Sequence, residues 1–330
     1  MGKLLGLVAA LVVIAVAVAM VVLTSGNGGD AGPAPAEPPQ RSTLPGVPAL
    51  HAARLFAAEA LNRPVSDTPL TSLSAAGWDG CYGVHRAGGV CTLQFTAGLV
   101  AIFAGEPEKA RFHVVGDLVI GPVVPGPGIS IDSGGPVPPE IAPDLTRLLA
   151  EYARADLALR QRLDAATIVT ASIVPATFDS CLGFQYAART IACREVALRG
   201  AIVTFESGAR SYRYHVSTEG IVAVSLEQGV ATVEPDAAVV ALHGRLRDDL
   251  ARRANAGLGD ISIVSFQEVT WPSGCLGVTK PGDVCTQALV EGWLAILTAG
   301  GREYRYHGAG ERFIAASFEP GARLAEPVRR

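Results

Sequence analysis

The sequence has few aromatic and few charged residues: of 330 residues, 6% are aromatic and 18% are charged. Its 27 lysines and arginines nearly balance 31 aspartates and glutamates, so the formal net charge is -4, and no long basic run occurs. Because proteins that bind nucleic acids carry a concentrated basic surface, we expect no nucleic acid as a partner. Hydrophobic residues make up 49% of the chain, which excludes disorder for most of it.

The common catalytic signatures are also missing. The sequence has no Walker A loop, no His-Glu-x-x-His, no nucleophile elbow and no dinucleotide-binding fingerprint. The stretch from Asp132 to Pro136 reads DSGGP, like the surroundings of the nucleophile in chymotrypsin-like proteases. It lies in a segment rich in proline and glycine, without the two barrels that hold a catalytic triad. We therefore expect no enzyme and no cofactor, and keep a hydrolase with an unrecognised site as the alternative.

The N-terminus holds the one long hydrophobic run. Leu4 to Leu23 is uncharged and follows Lys3, and its length suits a hydrocarbon core of about 30 Å. We predict a single-pass membrane anchor over residues 1–24, or a cleaved secretory signal, because the stretch from Ala17 to Ala19 matches the small-x-small cleavage pattern. The charge of Lys3 predicts that the rest of the chain is extracytoplasmic. Either alternative gives the same compartment.

Six cysteines fall into three pairs, and the residues around each pair follow the same sequence pattern. In each copy an aromatic residue precedes the first cysteine, a glycine follows the second cysteine by seven residues, and a histidine follows that glycine by fifteen. Fixed spacings that recur three times indicate tandem repeats. We predict units over residues 51–122, 143–228 and 229–320, a flexible linker over 25–50, a second linker over 123–142 and a tail over 321–330.

Each unit is predicted to be a helix followed by an antiparallel sheet of about four strands, an α+β fold. Apolar residues recur at helical spacing over residues 144–163 and 237–253, with a shorter counterpart over 52–61. In the third unit, strands are expected over 261–271, 284–297, 302–307 and 313–318. Because residues 121–139 are rich in proline and glycine, we expect separate bodies rather than one merged core, although the short connector over 226–236 would allow the second and third units to pack together.

The cysteines are predicted to form one disulfide in each unit, because recurring pairs in an oxidising compartment favour disulfides. The chain-entropy estimate gives each small loop about 2.5 to 3 kcal/mol. The predicted bonds are Cys81 with Cys91, Cys181 with Cys193, and Cys275 with Cys285. A zinc site needs four ligands, and two thiols with one distant histidine do not supply them, so we expect no metal.

Arg-aromatic-His triplets are the candidates for recognition. Strand alternation places the arginine and histidine on one face and the tyrosines on the other. In the structural interpretation, the tyrosines pack on the helix and the histidine bonds to a carbonyl. In the functional interpretation, the cationic face binds an acidic or sugar-like ligand. The candidates are Arg111, His113, Arg213, His215, Arg305 and His307.

Four further aromatic residues divide into two groups. Trp78, Phe178 and Trp271 precede the first cysteine of each pair, and we interpret them as core residues beneath the disulfide. Trp293 stands where the other units have Leu99 and Ala201. We therefore expect it to be a surface residue specific to the third unit and add it to the recognition candidates.

The third unit resembles a repeated domain of uncharacterised exported bacterial proteins. The resemblance rests on the stretch from Trp271 to Gly277, W-P-x-x-C-L-G, and on Tyr304 to His307, Y-x-Y-H. At the level of fold, the units are similar to PepSY and β-lactamase-inhibitor-like domains. The resemblance implies an extracytoplasmic location and supplies no catalytic residues. We predict a membrane-anchored binding or inhibitory module for a protein or cell-envelope ligand; the alternatives are the hydrolase and a structural spacer.

Overall fold

A computed structural model of the chain describes residues 46–139, 141–187 and 192–329. The predicted anchor, residues 1–24, and most of the linker predicted over 25–50 lie outside the described residues. In the part that is described, every helix is too short or too polar to cross a membrane. The described residues all belong to one compact unit, Pro39–Arg330.

Three copies of a helix followed by an antiparallel sheet make up the fold, which confirms the predicted α+β class and the repeat. The first copy has α1 (Val47–Leu61), β1 (Leu70–Trp78), β2 (Val84–Arg86), β3 (Thr96–Phe103), β4 (Arg111–Val115), β5 (Leu118–Ile120) and β6 (Ile129–Ile131). The second has α2 (Leu145–Gln161), β7 (Val169–Phe178), β8 (Phe184–Tyr186), β9 (Leu198–Ser207), β10 (Arg210–Ser217), β11 (Gly220–Val222) and β12 (Gly229–Ala231). The third has α3 (Ala237–Ala254), β13 (Ile261–Trp271), β14 (Val278–Thr279), β15 (Val290–Ala299), β16 (Arg302–Ala309), β17 (Arg312–Ile314), β18 (Arg323–Leu324) and β19 (Val328–Arg329).

The sheets have the same strand order in each copy. They run β1-β3-β4-β5, β7-β9-β10-β11 and β13-β15-β16-β17, and β19 adds to the outer edge of β13. All pairs are antiparallel, and the first strand of each sheet carries a bulge after its first residues. The bulge increases the local twist of that long strand.

Short polar signals set the ends of the helices. Asp144 and Asp236 cap α2 and α3, because the carboxylate of each accepts a backbone N–H of the first turn. Each helix ends at a residue in the left-handed conformation, namely Asn62, Arg162 and Asn255, with φ of 48°, 54° and 51°. Such a C-terminal residue stops the helix and turns the chain toward the sheet. The first helix begins at Val47, inside the segment predicted as flexible linker.

The expectation of separate bodies is wrong, because the three copies share one hydrophobic core. Buried residues of all three helices and of the facing side of all three sheets form a single cluster, among them Leu50, Phe112, Tyr152, Tyr214, Leu246 and Tyr306. A unit of fewer than about 100 residues buries a smaller fraction of its surface on folding than a larger domain does. Sharing the core allows each helix to bury apolar surface against more than its own sheet; α2, for example, packs on α1 and on β13.

Contacts between neighbouring sheets reinforce the shared core. The backbone N–H of Leu73 in β1 donates to the carbonyl of Thr218, which follows β10, over 2.7 Å. At the other junction, Thr170 N–H in β7 donates to the hydroxyl of Ser262 in β13 over 3.1 Å. The Pro/Gly-rich segment therefore connects two parts of one body.

The predicted linker over 123–142 and the predicted tail over 321–330 both contain ordered closing strands. We use this term for β6, β12 and β18, which pair with β2, β8 and β14 beside the disulfide turn. After each closing strand, a backbone N–H donates to the carbonyl of the glycine two residues beyond the first cysteine, over 2.8 to 2.9 Å. The DSGGP stretch belongs to this closing segment: a Cβ on Gly134 would lie 2.7 Å from the indole nitrogen of Trp78. Gly134 thus allows the closing segment to pack closely on Trp78.

A buried aspartate ties the second helix to the first. Asp156 of α2 is 1% exposed and accepts from Arg54 of α1 over 2.5 Å and from the Tyr214 hydroxyl over 3.1 Å. Arg160 approaches the second carboxylate oxygen at 3.0 Å. Burial is the main cause that raises the pKa of the Tyr214 hydroxyl, and the Asp156 charge adds to it. The network thus joins two repeats inside the common core.

The third copy repeats part of this network without the contact between repeats. Asp249 accepts from the Tyr306 hydroxyl over 3.0 Å and from Arg253 over 2.6 Å. In the first copy, the positions of the aspartate and tyrosine are held by Phe56 and Phe112. Both partners are absent together there, so neither of these two positions leaves a buried polar group without its counterpart.

We predict that Asp156→Asn lowers the free energy of unfolding by about 3 to 5 kcal/mol, because it leaves the buried Arg54 guanidinium without a counter-charge. Asp249→Asn is the matched control. Its arginine partners are 43% and 70% exposed, and exposed pairs contribute at most about 1 kcal/mol. Urea unfolding at neutral pH measures both variants. Equal losses would contradict the assignment of the Arg54 pair as the junction between repeats.

Candidate functional site

The three predicted disulfides are confirmed, with Cα–Cα distances of 5.3, 5.5 and 5.5 Å. In each copy, the residue after the first cysteine has a left-handed backbone: Tyr82, Leu182 and Leu276 have φ of 55°, 55° and 53°. This conformation turns the carbonyl of that residue out of the regular strand pattern. The carbonyl is then available to the triplet histidine.

We call the resulting contact the histidine clip. His113, His215 and His307 each donate from Nδ1 to that carbonyl, over 2.7, 2.7 and 2.8 Å. Each imidazole also stacks on the aromatic residue before the disulfide, with ring centroids 4.6, 5.0 and 4.3 Å apart. Because a carbonyl only accepts, Nδ1 carries the proton. The buried Nε2 of each ring has no hydrogen-bond partner among the described residues.

The clip histidines are at most 1% exposed, so their rings do not reach a ligand on the surface. Burial, as the largest cause, lowers the pKa of all three imidazoles, and the hydrogen bond to the carbonyl opposes it. Of the residues predicted to form a cationic face, only the arginines therefore remain accessible to a ligand. Trp78, Phe178 and Trp271 are buried, which confirms their interpretation as core residues.

Two of the triplet arginines, Arg213 and Arg305, lie beside exposed carboxylates. Arg213 pairs with Glu234 over 2.6 Å, and Arg305 pairs with Glu326 over 2.9 Å. In both cases the glutamate follows the arginine by 21 residues, just after the closing strand. Arg111 is half-buried at the equivalent position. Because each of the two observed pairs includes a carboxylate more than 60% exposed, it contributes little to stability.

Two more histidines pack inside the fold: His51 is half-buried and His243 is buried. His51 stacks on Tyr152 at 4.5 Å, and burial lowers the pKa of its ring. His243 is fully buried in α3, and both its ring nitrogens lack a hydrogen-bond partner within the described chain. Burial lowers the pKa of His243 to about 4. The equivalent position in α1 is Leu50, which suits the apolar surroundings better.

We predict that the free energy of unfolding decreases as the pH falls from about 6.5 to about 5. Burial lowers the pKa of five imidazoles in the folded chain, whereas the unfolded chain binds a proton on each below the ordinary pKa of 6.5. Each proton bound only by the unfolded state costs about 1.4 kcal/mol per pH unit. Urea unfolding at a series of pH values measures the slope.

His243→Leu is the matched variant for this experiment. It should raise stability at pH 5 relative to the parent by about 2 kcal/mol, because one unpartnered titrating group is removed. A stability that does not change between pH 6.5 and pH 5 would contradict the burial of neutral imidazoles.

Trp293 lies at a cavity of about 440 Å³ in the third copy, on the helix side of the sheet. The expectation of a surface residue is wrong, since Trp293 is only 6% exposed. Its ring stacks on Phe266 at 5.5 Å, and its indole N–H donates to the Gly310 carbonyl over 2.9 Å. Leu242 of α3 completes the apolar lining. We call this cavity the Trp293 pocket.

Carboxylates surround the opening of the Trp293 pocket. Glu268, Glu291 and Glu311 are exposed and line it, against a single arginine, Arg245. Arg245 pairs with Glu311 over 3.3 Å, and Glu291 accepts from the Thr270 hydroxyl over 3.4 Å. The pocket therefore joins an apolar aromatic floor to an acidic rim.

The other two copies do not have these residues at the equivalent positions. Where the third copy has Phe266, Glu268, Glu291 and Trp293, the first has Leu73, Ala75, Ala97 and Leu99, and the second has Ile173, Pro175, Arg199 and Ala201. Trp293 also requires Gly308, because a Cβ there would lie 2.1 Å from the indole ring. The other copies have valine at that position. The pocket is thus specific to the third copy.

A cluster in the first copy was not found from the sequence. The side chains of Asp79, Cys81, His85 and Cys91 offer ligand atoms within 4.8 Å of one another, but both sulfurs belong to a disulfide. His85 has no counterpart in the other copies, which have Gln185 and Thr279. The signal available in the sequence was this single histidine inside a disulfide loop.

Comparison with known proteins gives a match within the third copy. A family model described as a domain of unknown function (DUF8738) matches residues 244–315. This range runs from the middle of α3 to the end of β17 and includes Arg245, Phe266 and Trp293 of the pocket. No curated protein matches the chain, and no solved structure matches it. The similarity to PepSY and β-lactamase-inhibitor-like domains stays a prediction.

Proposed function

We propose that the chain is an extracytoplasmic binding module whose Trp293 pocket takes an arginine or lysine side chain of a partner protein. The observation that carries this proposal is the combination of aromatic floor and acidic rim in one copy of three. Three disulfides in the described chain agree with an oxidising compartment. Binding of a partner's side chain requires no catalytic residues.

The chemistry of the pocket matches a cation on an apolar stem. The (CH₂) stem of arginine or lysine packs on apolar surface while its charged head stays near water. Here the stem would contact Phe266 and Trp293, and the head would lie between Glu268 and Glu291. A cation beside an indole gains about 0.5 to 2 kcal/mol from the ring. The cavity volume of about 440 Å³ lies within the range of small-ligand sites.

Charge also favours a basic partner over an acidic one. Three glutamates and one arginine line the pocket, so its lining carries a net negative charge. Like charges brought together in an interface cost several kcal/mol. An acidic or phosphate-bearing ligand would meet this repulsion, which is why we do not propose it.

We predict that a blocked hexapeptide with one central arginine shifts the NMR signal of the Trp293 indole N–H, whereas its citrulline counterpart, which has the same shape without charge, does not. Glu268→Gln combined with Glu291→Gln should weaken arginine-peptide binding at least about tenfold, equivalent to 1.4 kcal/mol. Binding should also weaken as the salt concentration rises.

Two variants complete the experiment. Glu219→Gln removes an exposed carboxylate of the second copy and should leave binding unchanged. Trp293→Leu combined with Gly308→Val installs the pair found in the first copy, Leu99 and Val114, and should abolish binding while the chain stays folded. Equal shifts with the arginine and citrulline peptides, or no shift with either, would overturn the proposed ligand class.

We also propose that the module is held at the membrane by the apolar run from Leu4 to Leu23, whose length suits a bilayer core. We predict that the protein stays in the membrane fraction after a high-salt wash and is released by detergent. N-terminal sequencing of the mature protein is the deciding measurement. A mature chain that begins near Met20 would show instead that the run is a cleaved secretory signal.

A further inference from the structure

The three disulfides differ in the side chains beside them, although all six cysteines are partly buried to a similar degree. In the first copy, a carboxylate and an imidazole accompany the sulfurs: Asp79 and His85. In the second copy, Asp179 is close to both sulfurs, and glutamine stands at the position of the imidazole. In the third copy, Ser273 and Thr279 hold these two positions. One fold therefore presents three chemical environments for the same bond.

The imidazole of His85 is aimed at one particular sulfur. Its Nδ1 lies 3.5 Å from Sγ of Cys91. A disulfide sulfur carries no hydrogen, so Nδ1–H donates and Sγ accepts. The same Nδ1 lies 3.9 Å from the Asp79 carboxylate, and the other oxygen of that carboxylate accepts from the backbone N–H of Cys81 over 3.0 Å. The donor is thus in place before the bond breaks.

We propose that Cys81–Cys91 is a site of thiol–disulfide exchange with a low-molecular-weight thiol. The thiolate attacks Sγ of Cys81 and a new S–S bond forms, while the Cys81–Cys91 bond breaks and its electron pair goes to Sγ of Cys91. The Nδ1–H of His85 stabilises that leaving thiolate or protonates it. A second thiol attacks the mixed disulfide and releases Cys81. In total, two thiols are oxidised to one small disulfide, and the protein disulfide is reduced to two thiols.

The neighbours of each disulfide set an order of reactivity. A leaving thiolate departs faster when a nearby donor lowers the pKa of its thiol, so the first copy should exchange fastest. In the second copy, the charge of Asp179 repels the leaving thiolate without an imidazole to offset it. The third copy has neither group. We therefore expect exchange in the order first, third, second.

The test uses the full chain under native conditions with 2-mercaptoethanol as the thiol. Aliquots are quenched with acid, free thiols are alkylated, and peptides are quantified by mass spectrometry, so that the three disulfides serve as internal references for one another. Cys81–Cys91 should be reduced at least about tenfold faster than Cys181–Cys193. Trapped mixed disulfides should carry the small thiol on Cys81.

Two substitutions separate the role of the imidazole from simple exposure. His85→Gln places the residue of the second copy in the first and should remove the rate advantage. Gln185→His does the reverse and should accelerate reduction of Cys181–Cys193. A thermal melt of each variant checks that the fold is retained. Equal rates for the three disulfides, an unchanged rate in His85→Gln, or the small thiol found on Cys91 would overturn the proposal.

Discussion

The histidine clip is the interaction on which the architecture of every copy depends. A hydrogen bond of 2.7 to 2.8 Å fixes the turn after the first cysteine against a strand of the main sheet. The imidazole fills this position because its flat ring both stacks on the preceding aromatic residue and reaches a carbonyl with one edge. Its other nitrogen is buried and has no hydrogen-bond partner in the described part of the chain, which costs about 1 to 3 kcal/mol. The clip therefore has a cost that all three copies carry.

The second constraint is the common core. Separate bodies of this size would leave one face of each helix in water, whereas the observed arrangement buries α2 against both its own sheet and the neighbouring copies. The Arg54 and Asp156 pair shows how specific this junction is. A buried ion pair of this kind contributes little net stability compared with apolar residues, but either partner alone is strongly destabilising. It thus favours one arrangement of the copies over other ways of stacking similar apolar faces.

Periodicity and spacing predicted the parts of the fold that are local. The spacing of apolar residues predicted the helices and the long first strand of the third copy. The repeated sequence pattern predicted the three disulfide pairings. Two of the three closing strands, β6 and β18, were predicted as linker and tail, because Ile129 to Ile131 and Arg323 to Leu324 are short runs among prolines and glycines. Their strand conformation comes from pairing with the disulfide turn, a tertiary contact that no local pattern encodes. Val284 was expected in a strand but is 98% exposed, since the disulfide loop there holds the chain away from the sheet.

The candidate sites were harder to predict, for a reason that the repeat itself explains. Arg305 and His307 were predicted as recognition residues because they recur in every copy. A feature common to every copy, however, indicates what every copy needs in order to fold. A feature found in one copy alone is not needed for every copy to fold. Both proposed sites are of this kind: Trp293 with its acidic rim in the third copy, and His85 in the first. They also lie on opposite faces of their sheets, because the pocket is on the helix side and the disulfide turn is on the other. The clip hydrogen bond and the pairing of β2 with β6 hold that turn together with the disulfide.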